Sequence, residues 1–330
     1  MNISNIGIIG GGSWGTALVK LLTKNLDNKI HWYIRNKEDI EHIKKYKHNP
    51  RYISFAELPV EKIVLYNNIL DLITSVDLII LAIPSAFLEE NLSGYIPSSE
   101  KYYVSAIKGI IPQHHKTVSE FLHSKYNIPY KNLAVISGPC HAEEIVAERL
   151  SYLTVGSTNA ELSHFISNIL TNYYVSVKTS KDIRGIEYAG ILKNIMAIAV
   201  GISHGLGYGD NFTAVLVSNA CEEISIFLDK IFEGHRKITN SVYLGDLLVT
   251  AYSQFSRNRA FGTMIGKGYS VKMAQIEMNM VAEGYYATHS MKQITKKLDI
   301  NLPILDAVYH ILYDKVPPAL EFKLLQKKLK

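Results

Sequence analysis

Only two cysteines occur in 330 residues, Cys140 and Cys221. They support neither a disulfide framework nor the clustered Cys/His spacing of a zinc site, so no metal is expected and a reducing, cytoplasmic location is. One-sided charge is missing as well. Thirty-five Lys and Arg against 30 Asp and Glu leave a net charge of +5, with the basic residues scattered along the chain. That excludes a nucleic-acid footprint and suits a small anionic substrate. There is no low-complexity tract and no internal repeat. No apolar run approaches the roughly 18 residues that span a bilayer, and the first apolar run has no basic stretch before it. Neither membrane insertion nor a signal peptide is therefore expected. What remains is an ordinary globular composition, 47% hydrophobic and 20% charged, in a chain long enough for two domains.

The most informative stretch is near the start. An apolar run, Ile6 to Ile9, is too short for a helix and feeds Gly10-x-Gly12-x-x-Gly15, after which Leu18, Leu21 and Leu22 recur with helical spacing. Strand, glycine turn and helix in that order form the dinucleotide-binding pattern. Gly10 permits the tight turn, Gly12 the close approach of a pyrophosphate, and Gly15 the packing of helix on strand. The phosphates are expected at the positive end of the helix, beside Ser13 and Trp14.

Lys29–Ile34 alternates as a second strand. NAD-specific proteins place an acid at its end to hold the ribose 2′-hydroxyl; here Arg35-Asn36 stand there and the first acid is Glu38. Arg35 is either a reader of a 2′-phosphate or a solvated strand-end residue, and in the first case NADP is accepted. Further apolar runs, 63–66, 77–83, 102–107, 133–136, 152–156 and 173–177, alternate with segments of helical length such as 85–92 and 115–126. This predicts βαβ units, hence an α/β fold with a Rossmann-type doubly wound parallel sheet over residues 1–180. From Ile183 the texture changes to long apolar-periodic segments, 183–203, 212–232, 242–253 and 272–280, which predict an all-helical second domain over 181–330. In this layout the active site is expected between the two halves.

Chemistry-bearing residues cluster at strand ends and in the helical half. Lys108 follows the strand 102–107, and Gly138-Pro139-Cys140-His141-Ala142 follows the strand 133–136. Lys193 lies among Ile191, Leu192, Ile195 and Met196; spacing leaves it either buried, and so a usable proton donor and acceptor, or on an exposed stripe. Asp246 after Gly245 reads as a helix N-cap. Ser256-Arg257-Asn258-Arg259 reads as a solvated turn or as a phosphate grip of charge-assisted donors. Val281-Ala282-Glu283-Gly284 is a short loop signal.

In this order and at these separations, the motifs Gly10–Ala17, Ile83-Pro84-Ser85, Lys108-Gly109, Ile136–Pro139, Leu192-Lys193-Asn194, Leu244–Leu247, Ser256–Arg259 and Glu283-Gly284 resemble those of the bacterial-type NAD(P)-dependent glycerol-3-phosphate dehydrogenases along nearly the whole chain. The resemblance implies hydride transfer between NADP or NAD and a small phosphorylated three-carbon substrate, dihydroxyacetone phosphate, giving sn-glycerol 3-phosphate for phospholipid synthesis. It implies Lys193 as the proton-transfer residue. Lys108, Gly138, Cys140, Lys193, Asp246, Ser256, Arg257 and Asn258 match substrate positions. Gly10, Gly12, Ser13, Trp14, Gly15, Arg35, Lys108, Ala142, Arg257, Val281 and Glu283 match cofactor positions. A homodimer is the expected assembly. Cys140 stands where the family more often has serine or threonine, Tyr286 replaces a usual arginine, and Ser241-Val242-Tyr243 replaces a glycine-richer turn. The rival readings are a ketopantoate-reductase-like enzyme, against which the Ser256–Arg259 cluster argues, and a catalytically inactive nucleotide sensor, against which Lys193 and Asp246 argue.

Overall fold

The computed structural model describes residues 3–95, 97–232, 236–278 and 282–330, and they form two compact units. One comprises residues 1–107 and 118–184; the other comprises 108–117 and 185–330.

In the first unit, eight short strands form a single sheet: β1 (Ile6–Ile9), β2 (Ile30–Tyr33), β3 (Ile63–Tyr66), β4 (Leu78–Leu81), β5 (Tyr102–Ser105), β6 (Leu133–Ser137), β7 (Ser151–Gly156) and β8 (Val175–Ser180). Their spatial order is β3-β2-β1-β4-β5-β6-β7-β8. The chain reverses direction of travel across the sheet at β1, which pairs in parallel with β2 (Ile6 with Ile30) and with β4 (Ile6 with Leu78). Such a switch point opens a crevice beyond the carboxyl ends of the strands. Seven helices accompany the sheet: α1 (Ser13–Asn25), α2 (Lys37–Tyr46), α3 (Ile69–Ser75), α4 (Leu88–Asn91), α5 (Val118–Tyr126), α6 (Ala142–Val146) and α7 (Ala160–Leu170). Ile8, Leu18, Leu21, Leu22 and Trp32 are fully buried and anchor α1 in the core. Each such side chain contributes about 1.5–3 kcal/mol relative to an exposed one.

The sheet departs from all-parallel at one seam. β7 runs antiparallel to β6, and β8 then follows β7 in parallel. Between β6 and β7 lie residues 138–150, whose one α-helix, α6, has five residues, in place of the longer crossover helix usual between parallel strands. β8 also begins later than its apolar run, because Asn172 Oδ1 accepts the N–H groups of Tyr174 and Val175 in a side-chain turn. The helix predicted from His115 begins at Val118 instead. His115 has φ +50° beside an isolated bridge between Ile111 and Lys116.

The second unit is helical: α8 (Ile183–Gly205), α9 (Asp210–Ile231), α10 (Asp246–Tyr252), α11 (Arg257–Gly266), α12 (Val271–Glu277), α13 (Glu283–Leu298), α14 (Pro303–Leu312) and α15 (Pro318–Leu325), with a π-helical turn over Ser241–Gly245. The segment predicted over 272–280 is α12; Asn279 and Met280 lie outside the described residues. With a mean hydropathy of 1.4 over its window, α8 is long and apolar enough to cross a bilayer by length and composition, although Glu187 and Lys193 break it into shorter apolar runs. That window is wholly buried in the protein, as a core helix is. Close packing explains the glycines here: a methyl group on Gly201 of α8 would lie 2.8 Å from the Thr263 nitrogen of α11.

Candidate active site

In the first unit the chain leaves β1 through Gly10, whose φ of +135° lies where side chains are disfavoured. Gly12 is the N-cap of α1 and makes no side-chain cap bond, and the first turn holds no acid. The leading amides of α1 therefore present a positive end suited to an anion. A methyl group built on Gly12 would meet nothing within 4 Å, whereas one on Gly15 would run into the Gly10 backbone, 3.0 Å from its carbonyl carbon. Space at the second glycine and contact at the third is what a pyrophosphate cradle requires. The indole Nε1 of Trp14 is buried with no hydrogen-bond partner among the described residues, a donor that a bound dinucleotide would satisfy. These residues fit a nicotinamide dinucleotide.

Arg35 follows β2 and is exposed, its carbonyl held by Asn67 Nδ2 at 2.7 Å. Gly138 ends β6 at φ +129°, with the Tyr152 carbonyl 2.6 Å from where its Cβ would be. Two residues on, Cys140 Sγ donates to the Gly138 carbonyl at 3.2 Å, and Ala142 opens α6. In the sheet unit, then, Gly10–Gly15 and Arg35 belong to the β1–α1 and β2–α2 turns, and Gly138, Cys140 and Ala142 to the β6–α6 turn.

In the helical unit, three residues predicted from distant motifs meet directly. Asp246, the first residue of α10, is 1% exposed, and Oδ1 forms an ion pair with Lys193 Nζ of α8. Lys108 Nζ reaches the same carboxylate, 3.0 Å from Oδ2 and 3.3 Å from Oδ1. Burial alone would raise the Asp246 carboxyl, but the two ammonium groups outweigh it and hold the group below the usual aspartate value. Asp246 is thus an ion-pair hub instead of the helix cap its sequence context suggests. Lys193 is 5% exposed, which decides the choice left open by spacing. It also donates to Thr250 Oγ1 at 2.8 Å, while that hydroxyl donates to the Asp246 carbonyl at 2.6 Å. The Lys193 ammonium is thus buried and held by the Asp246 carboxylate and the Thr250 hydroxyl.

Two residues here were given no role by the sequence reading, Thr250 unmentioned and Asn194 named only within the Leu192-Lys193-Asn194 motif. Thr250 lies four residues beyond Asp246 on one helix and so on the same face, a spacing that would have found it. Asn194, adjacent to Lys193, donates through Nδ2 to the Lys108 carbonyl at 2.7 Å and so ties the segment 108–117 to α8.

The Ser256–Arg259 cluster is the start of α11. Ser256 is the N-cap, its hydroxyl accepting from Arg259 N at 3.3 Å; Arg257 is exposed, and Asn258 is 8% exposed. Asn258 Oδ1 accepts from Gly284 N at 2.9 Å, which fixes the amide and turns its nitrogen the other way. Gly284 has no room for a side chain, since a Cβ would lie 2.7 Å from the Asn194 carbonyl. Glu283 opens α13 beside it. Val281 lies outside the described residues.

The chain is similar to known proteins along nearly its whole length. Residues 5–163 match the family described as NAD-dependent glycerol-3-phosphate dehydrogenase N-terminus, and residues 182–322 match its C-terminus counterpart. The chain is 35% identical over 327 residues to glycerol-3-phosphate dehydrogenase (NAD(P)+) of Staphylococcus carnosus, 98% of each being covered. It is also 35% identical to the enzyme of the same name from Clostridium botulinum over 332 residues, 99% of each. Among solved structures, glycerol-3-phosphate dehydrogenase from Coxiella burnetii superposes with a TM-score of 0.90 at 28% identity, covering 98% of both chains. The glycine turn, the paired lysines on one aspartate and the full-length similarity together make this chain a member of the NAD(P)-dependent glycerol-3-phosphate dehydrogenase family.

Proposed function

We propose that the protein catalyses the reversible reduction of dihydroxyacetone phosphate to sn-glycerol 3-phosphate with NADPH or NADH, supplying the glycerol backbone of phospholipids. The observation that carries this reading is the buried Lys193–Asp246–Lys108 constellation. The dinucleotide supplies or takes up the hydride at C2. As the carbonyl is reduced, negative charge gathers on its oxygen, and the Lys193 ammonium both stabilises that charge and donates the proton. In the oxidative direction Lys193 takes the proton from the C2 hydroxyl. Asp246 aims Lys193 and offsets its charge, while Thr250 limits its swing. Lys108 adds a second cation near the reacting oxygen.

A three-carbon ketone offers little apolar area, so its affinity rests on the phosphate. Ser256, Arg257 and Asn258 at the amino end of α11 combine a guanidinium fork, an amide and a helix N-terminus for that task. Gly138 and Cys140 complete the substrate contacts. For the dinucleotide we assign Gly10, Gly12, Ser13, Trp14 and Gly15 to the pyrophosphate side and Arg35 to the 2′-phosphate, with Lys108, Ala142, Arg257, Val281 and Glu283 as further contacts. Residues 1–180 are the dinucleotide-binding domain and 181–330 the substrate-binding, catalytic domain. A homodimer is the proposed assembly, favoured by the exposed Tyr252, Phe255, Met273 and Ile276 along α10 to α12. The free thiols of Cys140 and Cys221 favour the cytoplasm.

The test is nucleotide oxidation by purified protein with dihydroxyacetone phosphate, for the wild type and Lys193→Met. Positioned acid–base catalysis is worth about 10²–10⁴-fold, so the variant should lose at least about a hundredfold in kcat while still binding NADPH. A variant retaining a tenth of wild-type turnover would remove Lys193 from the chemistry.

A further inference from the structure

A segment outside the glycine motif is hydrogen-bonded to it. After α2, residues 47–58 form a loop closed on itself by the Leu58 N–H donating to the Lys47 carbonyl at 2.7 Å, with Ala56 and Leu58 fully buried. Arg51 Nε fastens it to Asp39 of α2 at 2.9 Å. From this loop Asn49, 2% exposed, reaches the glycine turn. Its Nδ2 donates to the Gly11 carbonyl at 2.9 Å and to Thr16 Oγ1 at 2.9 Å, while Oδ1 accepts from Arg51 N at 3.0 Å and Tyr52 N at 3.2 Å. All four hydrogen-bonding positions of the amide are used.

The bonds continue through the turn. Thr16 Oγ1, held by Asn49, donates to the Gly12 carbonyl at 3.0 Å, and Trp32 Nε1 donates to the Gly10 carbonyl at 2.9 Å. The carbonyls of Gly10, Gly11 and Gly12 are therefore each drawn back into the protein. In a trans peptide the C=O and the following N–H point in opposite directions. Holding three successive carbonyls thus turns the N–H groups of Gly11, Gly12 and Ser13 away from those partners, and at Gly12 no side chain or neighbour fills the space beside the turn.

We infer that Asn49 is a positioning residue for dinucleotide binding: through Gly11 directly, and through Thr16 to Gly12, it preorganises the amides that meet the pyrophosphate. This rests on the proposed role of the glycine turn. Preorganised donors cost no rearrangement on binding, so their loss appears in cofactor affinity and spares the chemical step.

Asn49→Asp tests this. The carboxylate keeps both acceptor bonds to Arg51 and Tyr52, and with them the loop, but it loses both donors and sets an oxygen against the Gly11 carbonyl. Loss of two bonds predicts a rise of roughly tenfold or more in the Kd of NADPH, read by nucleotide fluorescence, with kcat at saturating NADPH within about twofold of wild type. ADP-ribose should weaken in parallel, whereas adenosine 2′-phosphate, which lacks the pyrophosphate, should not. Thr16→Val should reproduce the effect in part, since Asn49 loses one acceptor and the Gly12 carbonyl loses the hydroxyl while keeping its bond from Thr16 N at 2.9 Å, and Thr16→Ser should restore binding. A merely structural Asn49 would lower Tm and leave these ratios unchanged. A folded Asn49→Asp protein with NADPH affinity within twofold of wild type overturns the inference; should that protein not fold, the same threshold applied to Thr16→Val decides. Gly12→Val separates the underlying reading: if it leaves NADPH binding intact, the glycine turn is not the dinucleotide site, whereas if it abolishes binding while Asn49→Asp does not, only the positioning role fails.

Discussion

Lys193 and Asp246 form an ion pair in which the lysine side chain is 6% exposed and the aspartate 1%. Two charges so enclosed are costly to desolvate, and the approach of Lys108 to the same carboxylate leaves these three side chains with one positive charge in excess. Such a pocket suits a reaction that builds negative charge on a substrate oxygen, and a substrate that itself carries phosphate.

Asp246→Asn should destabilise the fold by about 3–5 kcal/mol, since it removes the carboxylate that offsets the buried Lys193 ammonium, and should cut kcat at least a hundredfold through a misdirected Lys193. The sign with pH follows from the lowered carboxyl. The stability that Asp246 supplies is present above the unfolded value near 3.8 and is lost as pH falls toward its lower folded value. Urea unfolding of both proteins should therefore give a constant gap from pH 5 to 8 and a narrowing one under acid.

Arg257→Ala should raise the KM for dihydroxyacetone phosphate steeply. Hydrogen bonds to a charged group are worth roughly 1.5–3 kcal/mol each, or about ten- to over a hundredfold. Some loss of cofactor affinity is allowed by its second assignment. The deciding measurement is the preference for dihydroxyacetone phosphate over dihydroxyacetone in both proteins. An unchanged ratio would place the phosphate elsewhere and leave Ser256 to Arg259 as a solvated turn.

Arg35→Asp should shift preference from NADPH toward NADH, because a carboxylate repels a 2′-phosphate and accepts from a 2′-hydroxyl. The ratio of kcat/KM for the two nucleotides checks it. An unaltered ratio would show that this exposed arginine does not read the phosphate.

Glu223 makes a separate prediction about stability. It is 4% exposed and caps α14, accepting from Ile304 N at 2.6 Å and Leu305 N at 3.3 Å. Burial pushes its carboxyl up to about 8, against the pull of those two N–H groups. A raised folded value means stability that is full below the unfolded value near 4.5 and falls as pH rises through about 8. Thermal unfolding of wild type and Glu223→Gln from pH 5 to 8 should show the wild type losing stability relative to the variant. Parallel curves would show that Glu223 is ionised throughout.

Local signals carried much of this protein. The strand of Ile6 to Ile9, the turn of Gly10 to Gly15 and the alternation of strand-length with helix-length runs are patterns of neighbouring residues, so they are legible in one dimension. The helical texture after Ile183 is legible for the same reason, and motif order along the chain picked out Lys108, Lys193 and Asp246, which the fold brings onto one carboxylate. Tertiary structure decided the rest. Whether Lys193 is buried depends on what encloses α8 on every side, which its own spacing does not contain. Asp246 reads as a cap until two lysines from remote segments converge on it. β7 pairs antiparallel to β6, a choice of partner and direction that the alternation of apolar runs does not contain. Asn49 looks like any polar loop residue after a helix; its function comes from a side-chain bond to Gly11, and only the folding of α2 back along the sheet brings the two within 2.9 Å. Composition and periodicity report what a residue prefers, whereas ion pairs and hydrogen bonds between distant segments depend on positions that the folded chain alone defines.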